Sequence, residues 1–332
     1  MPRRKKSLLQ RDGKCFVCER QCSIKESEKG YCSTKVNDGG IIYTLNYGNI
    51  SSISINPIEK KPFFHFYPGS YALTVGYWSC NFDCPWCQNY DISKIEPQYN
   101  EYIDPKEFVC IALRHSCGGT SLSFNEPVLS LEWGIEVFEI ARKKGLYNTI
   151  VTNGYMTEKT LNYFIRAGLD AANVDVKGDE EIVKNYCHAD VQKVWRNCKI
   201  MRNKDIHLEI TTLVIPSIND DMKILSGIGR RILEELGSDT PWHLTMYFPA
   251  YKFVRPPVSV KFLEGAYEMA KKIGLEFVYL GNVPGHRCEN TYCPKCNELL
   301  VGRQGMAAVS VKIEEQCVCP NCGKDLKNSF VI

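Results

Sequence analysis

Between residues 56 and 285 the chain alternates two hydrophobic rhythms. Strand-like runs occur at 71–77 (YALTVGY), 120–125, 148–153, 170–177, 206–215, 242–248 and 275–281. Between them, apolar residues recur every three or four positions, the spacing of an amphipathic helix. Leu161, Phe164 and Ile165 form one stripe; Ile224, Ile228, Ile232 and Leu236 form another; Phe262, Ala266, Met269, Ala270 and Ile273 form a third. A further helix is predicted from Pro105 to about Arg114, because Asp104 suits the N-cap, Pro105 the first helical position and Glu107 a capping box. Strands and helices alternating at roughly 30–40 residues mark repeated βα units and a parallel sheet. Six or seven such units suit a full or partial barrel, or a doubly wound sheet.

Parity along the later strands separates two faces. Asn173, Asp175 and Lys177 share one face, opposite Ala172, Val174 and Val176. His207, Glu209 and Thr211 share a face in the next strand, and His243, Thr245 and Tyr247 in the one after. Parallel strands covered on both sides normally read as continuous apolar runs. A polar, ionisable interior therefore predicts a cavity filled by a ligand.

With 332 residues, 44% of them hydrophobic and 24% charged, the chain fits one large α/β domain with small appendages. The formal net charge of +3 supplies no field for nucleic acid. The basic start, MPRRKK, is expected to be a solvated tail. No apolar run approaches the ~18 residues of a membrane helix, and the first residues lack the apolar core of a signal peptide, so a cytoplasmic protein without membrane contact is expected.

Cysteine changes the picture. There are 17, clustered as four in residues 15–32, three in 80–87 and six in 288–322. In a chain with no export signal such groups are more often metal ligands than disulfides. Cys110, Cys117, Cys187 and Cys198 stand apart on helix-like stretches and are expected to be small buried hydrophobes.

The middle group, Cys80-x3-Cys84-x2-Cys87, follows the first strand directly. A cubane iron–sulfur cluster normally takes four thiolates. Three thiolates on a tight loop leave one iron with an open position, and an open metal site marks a catalytic centre. Zinc with a distant fourth ligand is the other reading of the same spacing. The motif strongly resembles the signature of radical S-adenosylmethionine (SAM) enzymes. The resemblance implies a [4Fe–4S] cluster on Cys80, Cys84 and Cys87, with SAM chelated at the open iron and cleaved reductively to a 5′-deoxyadenosyl radical. It also implies that Trp86 lines the adenine. Where many members carry Gly-Gly-Glu, this chain has Phe124-Asn125-Glu126, so Asn125 and Glu126 become SAM-binding candidates. Thr152-Asn153-Gly154 matches the Thr-Asn-Gly of glycyl-radical activases, with Val151 where those have Asp. By the same resemblance Lys177 would pair with the SAM carboxylate and Asp175 with the ribose. Tyr247-Phe248-Pro249 stands where Phe-His-Pro is frequent, so a histidine is missing there, and His243 either substitutes for it or makes a structural hydrogen bond.

A narrower resemblance rests on residues 57–70, PIEKKPFFHFYPGS, with the flanking cysteine sets. Together they resemble the AmmeMemoRadiSam-system radical SAM proteins, relatives of pyruvate formate-lyase activating enzyme. This implies SAM, a flavodoxin- or ferredoxin-type electron donor, a protein or peptide substrate, and AMMECR-like and Memo-like partners. The expected fold class is α/β: a partial (β/α)6-type radical SAM barrel at 56–285, flanked by cysteine-rich metal-binding modules at 1–55 and 286–332. In the last module Cys293-x2-Cys296, 22 residues and Cys319-x2-Cys322 read as a zinc ribbon or rubredoxin-like site. In the first, Cys15-x2-Cys18-x3-Cys22-x9-Cys32 suits either zinc or a second iron–sulfur cluster. Two alternatives stand beside a radical SAM enzyme of unidentified substrate. One is a glycyl-radical-enzyme activase; the other is a non-catalytic iron–sulfur or zinc protein for electron transfer or nucleic-acid binding.

Overall fold

The computed structural model describes residues 4–95 and 101–332. Its centre is an eight-stranded sheet: β1 (Ser52–Pro57), β2 (Tyr71–Gly76), β3 (Gly119–Leu122), β4 (Tyr147–Thr152), β5 (Ala171–Asp175), β6 (His207–Val214), β7 (Trp242–Met246) and β8 (Val278–Gly281). The strands lie side by side in chain order. β2 through β8 are parallel, and β1 runs antiparallel along the edge of β2. No pairing joins β1 to β8 among the described residues, so the barrel is partial, as expected. All seven strands read from the sequence are present.

Helices return the chain between strands: α1 (Pro105–Arg114), α2 (Leu131–Lys143), α3 (Glu158–Ala167), α4 (Glu180–Cys187), α5 (Val191–Asn203), α6 (Met222–Glu235) and α7 (Val260–Ile273). Their starts are fixed by side-chain caps, which satisfy otherwise orphaned N–H groups. Asp104, Thr157, Asp179, Asp190, Asp221 and Ser259 each accept from a backbone N–H two or three residues on. The outward face of the sheet is apolar: Val174, Ile210, Trp242 and Val278 are adjacent across four strands and buried under the helices.

The inward face carries the polar row. Asn173 pairs with Glu209, and Thr211 with His243 and through it Tyr279. The lower part of this interior is filled by the chain itself. Residues 57–70 run beneath the barrel, where both carboxylate oxygens of Glu209 accept from the Phe64 N–H (2.8 and 3.0 Å) and Oε1 from the His65 N–H (2.9 Å). Asn173 Nδ2 donates to the Pro62 carbonyl. The expected ligand-filled interior is therefore corrected in part: a backbone segment satisfies the floor, and only the upper half stays open.

Strands β9 (Thr291–Tyr292), β10 (Leu299–Gln304) and β11 (Ala307–Val311) form a small antiparallel sheet after the barrel. It closes over the other side of the 57–70 segment. Val331 bridges Phe66, Arg303 donates to the Phe64 carbonyl, and Phe330 stacks on His65 at 3.9 Å. At the other end, strands Lys5–Lys6, Ile41–Thr44 and Lys35–Asp38 form a sheet tied to α2 by a buried Lys35–Glu132 ion pair. The basic start is thus a strand from Lys5 on, where a solvated tail was expected. The boundary at residue 55 falls inside β1, because Ser52 onward pairs with β2.

Candidate functional site

An open cavity of about 490 Å³ lies at the C-terminal ends of the strands. That is where loops of a parallel barrel converge and where catalytic groups of such folds gather. The loop after β2 brings Cys80, Cys84 and Cys87 to its wall. All three thiols are free. Burial, with Glu126 and Cys84 nearby, pushes the Cys80 thiol up to about 12. The Cys187 sulfur at 3.5 Å, together with burial, pushes Cys84 well above the ordinary thiol value, and burial raises Cys87. Such thiols keep their protons until a metal displaces them, the usual coupling of ligation to deprotonation.

Every other residue expected at the SAM site also lines this cavity. Glu126 caps the turn after β3 and is 1% exposed. Its Oε1 accepts the Thr152 hydroxyl at 2.7 Å and its Oε2 the Asn153 N–H at 2.9 Å. Burial nevertheless raises its carboxyl to about 7. Asn153 Nδ2 donates to Asn81 Oδ1 at 2.8 Å and lies 3.7 Å from Cys80 Sγ, so it steadies the cysteine loop. Gly154 turns the chain away at φ +71°, where a Cβ would lie 2.9 Å from Val194.

Asn125 has a different task. Its Oδ1 accepts the Tyr77 N–H at 3.0 Å and its Nδ2 donates to the Ser79 carbonyl at 2.8 Å, bracing the entry to the cysteine loop. Phe124 has φ +69°, a left-handed conformation costly for an aromatic residue. This is a physical reason why glycine suits the position in other chains. Trp86 packs against Tyr186 and Phe253 at the cavity edge. Lys177 Nζ donates to Asp175 Oδ2 at 3.0 Å. Burial alone would lower the ammonium, but Asp175 and the Cys84 and Cys187 sulfurs outweigh it and hold the group above the ordinary lysine value.

His243 lines the cavity and bonds Glu209 at 2.6 Å, with its ring stacked on Tyr279. It is thus tied into the floor. Tyr247 points elsewhere: its hydroxyl donates to the Phe253 carbonyl and holds that loop near Trp86.

Three neighbours escaped the sequence reading. Lys94 follows the cysteine loop on the single turn Tyr90–Ser93, pairs with Asp83 at 3.3 Å and donates to the Phe82 carbonyl. Burial would lower it, yet the three thiol groups and Asp83 hold it up. Lys61, in the floor segment, turns its amine over the Phe124 ring at 4.1 Å. Cys187 is buried as expected, but its sulfur abuts Cys84. Cys110, by contrast, is exposed.

The two flanking cysteine sets lie outside this cavity, each at its own place. Cys293, Cys296, Cys319 and Cys322 bring their four sulfurs within 4.8 Å of one another, with Cys293–Cys322 at 3.7 Å and Cys296–Cys319 at 3.6 Å. Tetrahedral zinc–thiolate geometry calls for about 3.8 Å between ligands, so the group could hold one metal ion. Cys288 and Cys317 stay outside it. Cys15, Cys18, Cys22 and Cys32 surround a separate small void. No helix among the described residues is long and apolar enough to cross a membrane.

A sequence model of the Radical SAM superfamily matches residues 78–225. An uncharacterised protein of Methanocaldococcus jannaschii is 38% identical over 317 residues, covering 94% of each chain. Pyruvate formate-lyase 1-activating enzyme of Escherichia coli K12 is 23% identical over 161 residues, 46% of this chain and 65% of that one. Among solved structures, a radical SAM methyltransferase from Sphaerobacter thermophilus superposes with a TM-score of 0.52 at 15% identity, over 65% of this chain and 67% of that one. At that identity the likeness concerns the fold alone.

Proposed function

Because the chain belongs to the radical SAM superfamily, whose members use a [4Fe–4S] cluster and SAM, we propose that it is an enzyme with its cluster on Cys80, Cys84 and Cys87. When bound, the cluster supplies the electron that cleaves SAM to a 5′-deoxyadenosyl radical, which takes hydrogen from a substrate in the adjoining cavity. The observation that carries this reading is the three-thiol loop opening on one wall of a roomy cavity that is also lined by the charged groups Glu126, Asp175 and Lys177 near the strand ends.

The chain's own groups then divide the work. Lys94 and Lys177 supply positive charge beside sulfurs that must become thiolates. Glu126 suits the amino group of SAM, Lys177 its carboxylate, Asp175 the ribose and Trp86 the adenine. Asn125 and Asn153 hold the loops rather than the ligand, on the strength of their hydrogen bonds. The apolar wall of Phe82, Trp86 and Phe124 keeps water from a reactive centre.

Residues 57–70 support the AmmeMemoRadiSam-system assignment, with AMMECR-like and Memo-like proteins as associates, a flavodoxin- or ferredoxin-type donor, and zinc on the C-terminal quartet. Modules at each end and a barrel beginning at β1 remain the division we favour. Likeness to pyruvate formate-lyase 1-activating enzyme favours a second reading, activation of a glycyl-radical enzyme, and both readings suit a protein or peptide substrate.

Anaerobic protein mixed with dithionite and SAM tests the chemistry. Release of 5′-deoxyadenosine that disappears in Cys84→Ala supports it. Equal release from that variant would refute the assignment of the cluster.

A further inference from the structure

Three cysteine sets in one chain can be compared on the same footing. The C-terminal four draw together to the spacing of a single ion. Among the described residues, neither of the other two sets is drawn together into such a single-ion group. One of those is the Cys80–Cys84–Cys87 loop. The other is Cys15, Cys18, Cys22 and Cys32, which nonetheless close around one void. We propose that this N-terminal quartet holds an iron–sulfur cluster of its own.

The spacing is the first argument. One tetrahedral ion with ligands at about 2.3 Å needs sulfurs about 3.8 Å apart. A cluster places a separate iron behind each thiolate, and so needs them farther apart. The donor set is the second. No carboxylate or histidine lines the void; its polar side chains are the four thiols, Gln21, Tyr31, Arg20 and Lys35, and the last two are cations that suit an assembly of thiolates.

Attachment is the third. A structural zinc staples segments that lack a core, yet this one is already docked. Thr157 and Thr160 hydroxyls donate to the Phe16 and Val17 carbonyls, and Arg196 pairs with Glu19 at 2.8 Å. Arg20 donates to the Asn81 carbonyl. Asn81 stands between the two sets: its side chain bonds Cys18, and its Oδ1 lies 3.9 Å from Cys80 Sγ.

The proposal does not depend on the enzymatic reading. Its test is iron, sulfide and zinc analysis with electron paramagnetic resonance on anaerobically purified full-length protein. Wild type should carry about eight irons and one zinc. Cys80→Ala/Cys84→Ala/Cys87→Ala should keep about four irons, with a reduced signal indifferent to SAM. Cys15→Ala/Cys18→Ala should also keep about four, with a SAM-sensitive signal. That second variant decides the matter if the first does not fold. A chain with about four irons and two zincs, or a triple variant without iron, overturns the proposal. Eight irons with a wild-type signal indifferent to SAM would leave it standing and sink the enzymatic reading instead.

Discussion

Glu126 Oε2 and the Asn153 N–H are 2.9 Å apart, so one buried carboxylate ties the ends of β3 and β4 together. Burial raises this carboxyl to about 7 in spite of its three donors. Its folded value exceeds the ordinary one, so its contribution to stability is full below about pH 4.3 and is lost as pH rises through 7. Thermal melts of cluster-free protein should show Glu126→Gln gaining on wild type between pH 5 and 8, by up to about 3 kcal/mol. Affinity for SAM should move the other way. An ammonium needs the carboxylate, so wild-type binding should weaken below pH 7. In Glu126→Gln it should be weak and flat with pH, with the cluster's absorbance intact. Unchanged affinity in the variant would remove Glu126 from the site.

Lys177 and Asp175 form the second charged contact expected of the same ligand. A hydrogen bond to a charged group contributes roughly 1.5–3 kcal/mol. Lys177→Met should therefore weaken SAM binding by about 10- to 100-fold, while iron content stays at the wild-type value. Asp175→Asn removes the main group that opposes burial, so it should lower the Lys177 ammonium, and it should cost less. Equal SAM affinity in wild type and Lys177→Met would show that the ammonium serves only the local ion pair.

The barrel was legible because period and parity survive in the sequence. Val174, Ile210 and Trp242 face helices, while Asn173, Glu209 and His243 face inward, and that alternation follows from the pleat alone. Capping at Asp104 and the ribbon at Cys293–Cys322 are equally local. What could not be read involves contacts far apart in the chain. Glu209 looked like a ligand group, yet its partners are the N–H groups of Phe64 and His65, about 145 residues away. Cys187 looked like a helix-core thiol, and only the packing of α4 brings it to Cys84. Lys94 carries no motif; its importance comes from burial next to three thiols.

The C-terminal quartet supports more than its own residues. Phe277, Tyr279, Leu300 and Phe330 are buried together beneath it, against Phe64 of the barrel floor. The Cys296 thiol is held down at about 6, chiefly by the Glu298 backbone N–H, so one ligand is ready as a thiolate at neutral pH. Cys319→Ala should lose one zinc per chain and melt several degrees below wild type. Because Gly305 and Met306 of the adjoining hairpin line the cavity, it should also raise proteolysis near that turn. A variant with normal zinc and the wild-type melting point would show that the four thiols do not act together.

Lys61 gives the sharpest chemical contrast within the floor segment. It is 4% exposed, and burial, with Lys60 beside it, lowers the amine to about 7. Among the described residues its amine has only the Phe124 ring as a partner, and it lines the open cavity. An ordinary lysine near 10.4 is almost entirely protonated at pH 7.5, whereas an amine near 7 is mostly free base and nucleophilic. Brief treatment with a limiting acylating reagent at pH 7.5, read by peptide mass spectrometry, should label Lys61 at least tenfold faster than exposed Lys60. Its rate should reach half its plateau near pH 7, while that of free lysine in solution still climbs at pH 9. Lys61→Arg should abolish the fast-labelled peptide without altering iron content. If Lys61 labels no faster than Lys60 and its rate keeps climbing to pH 9, Lys61 is an ordinary ammonium, and the floor of the cavity is more polar than its burial implies.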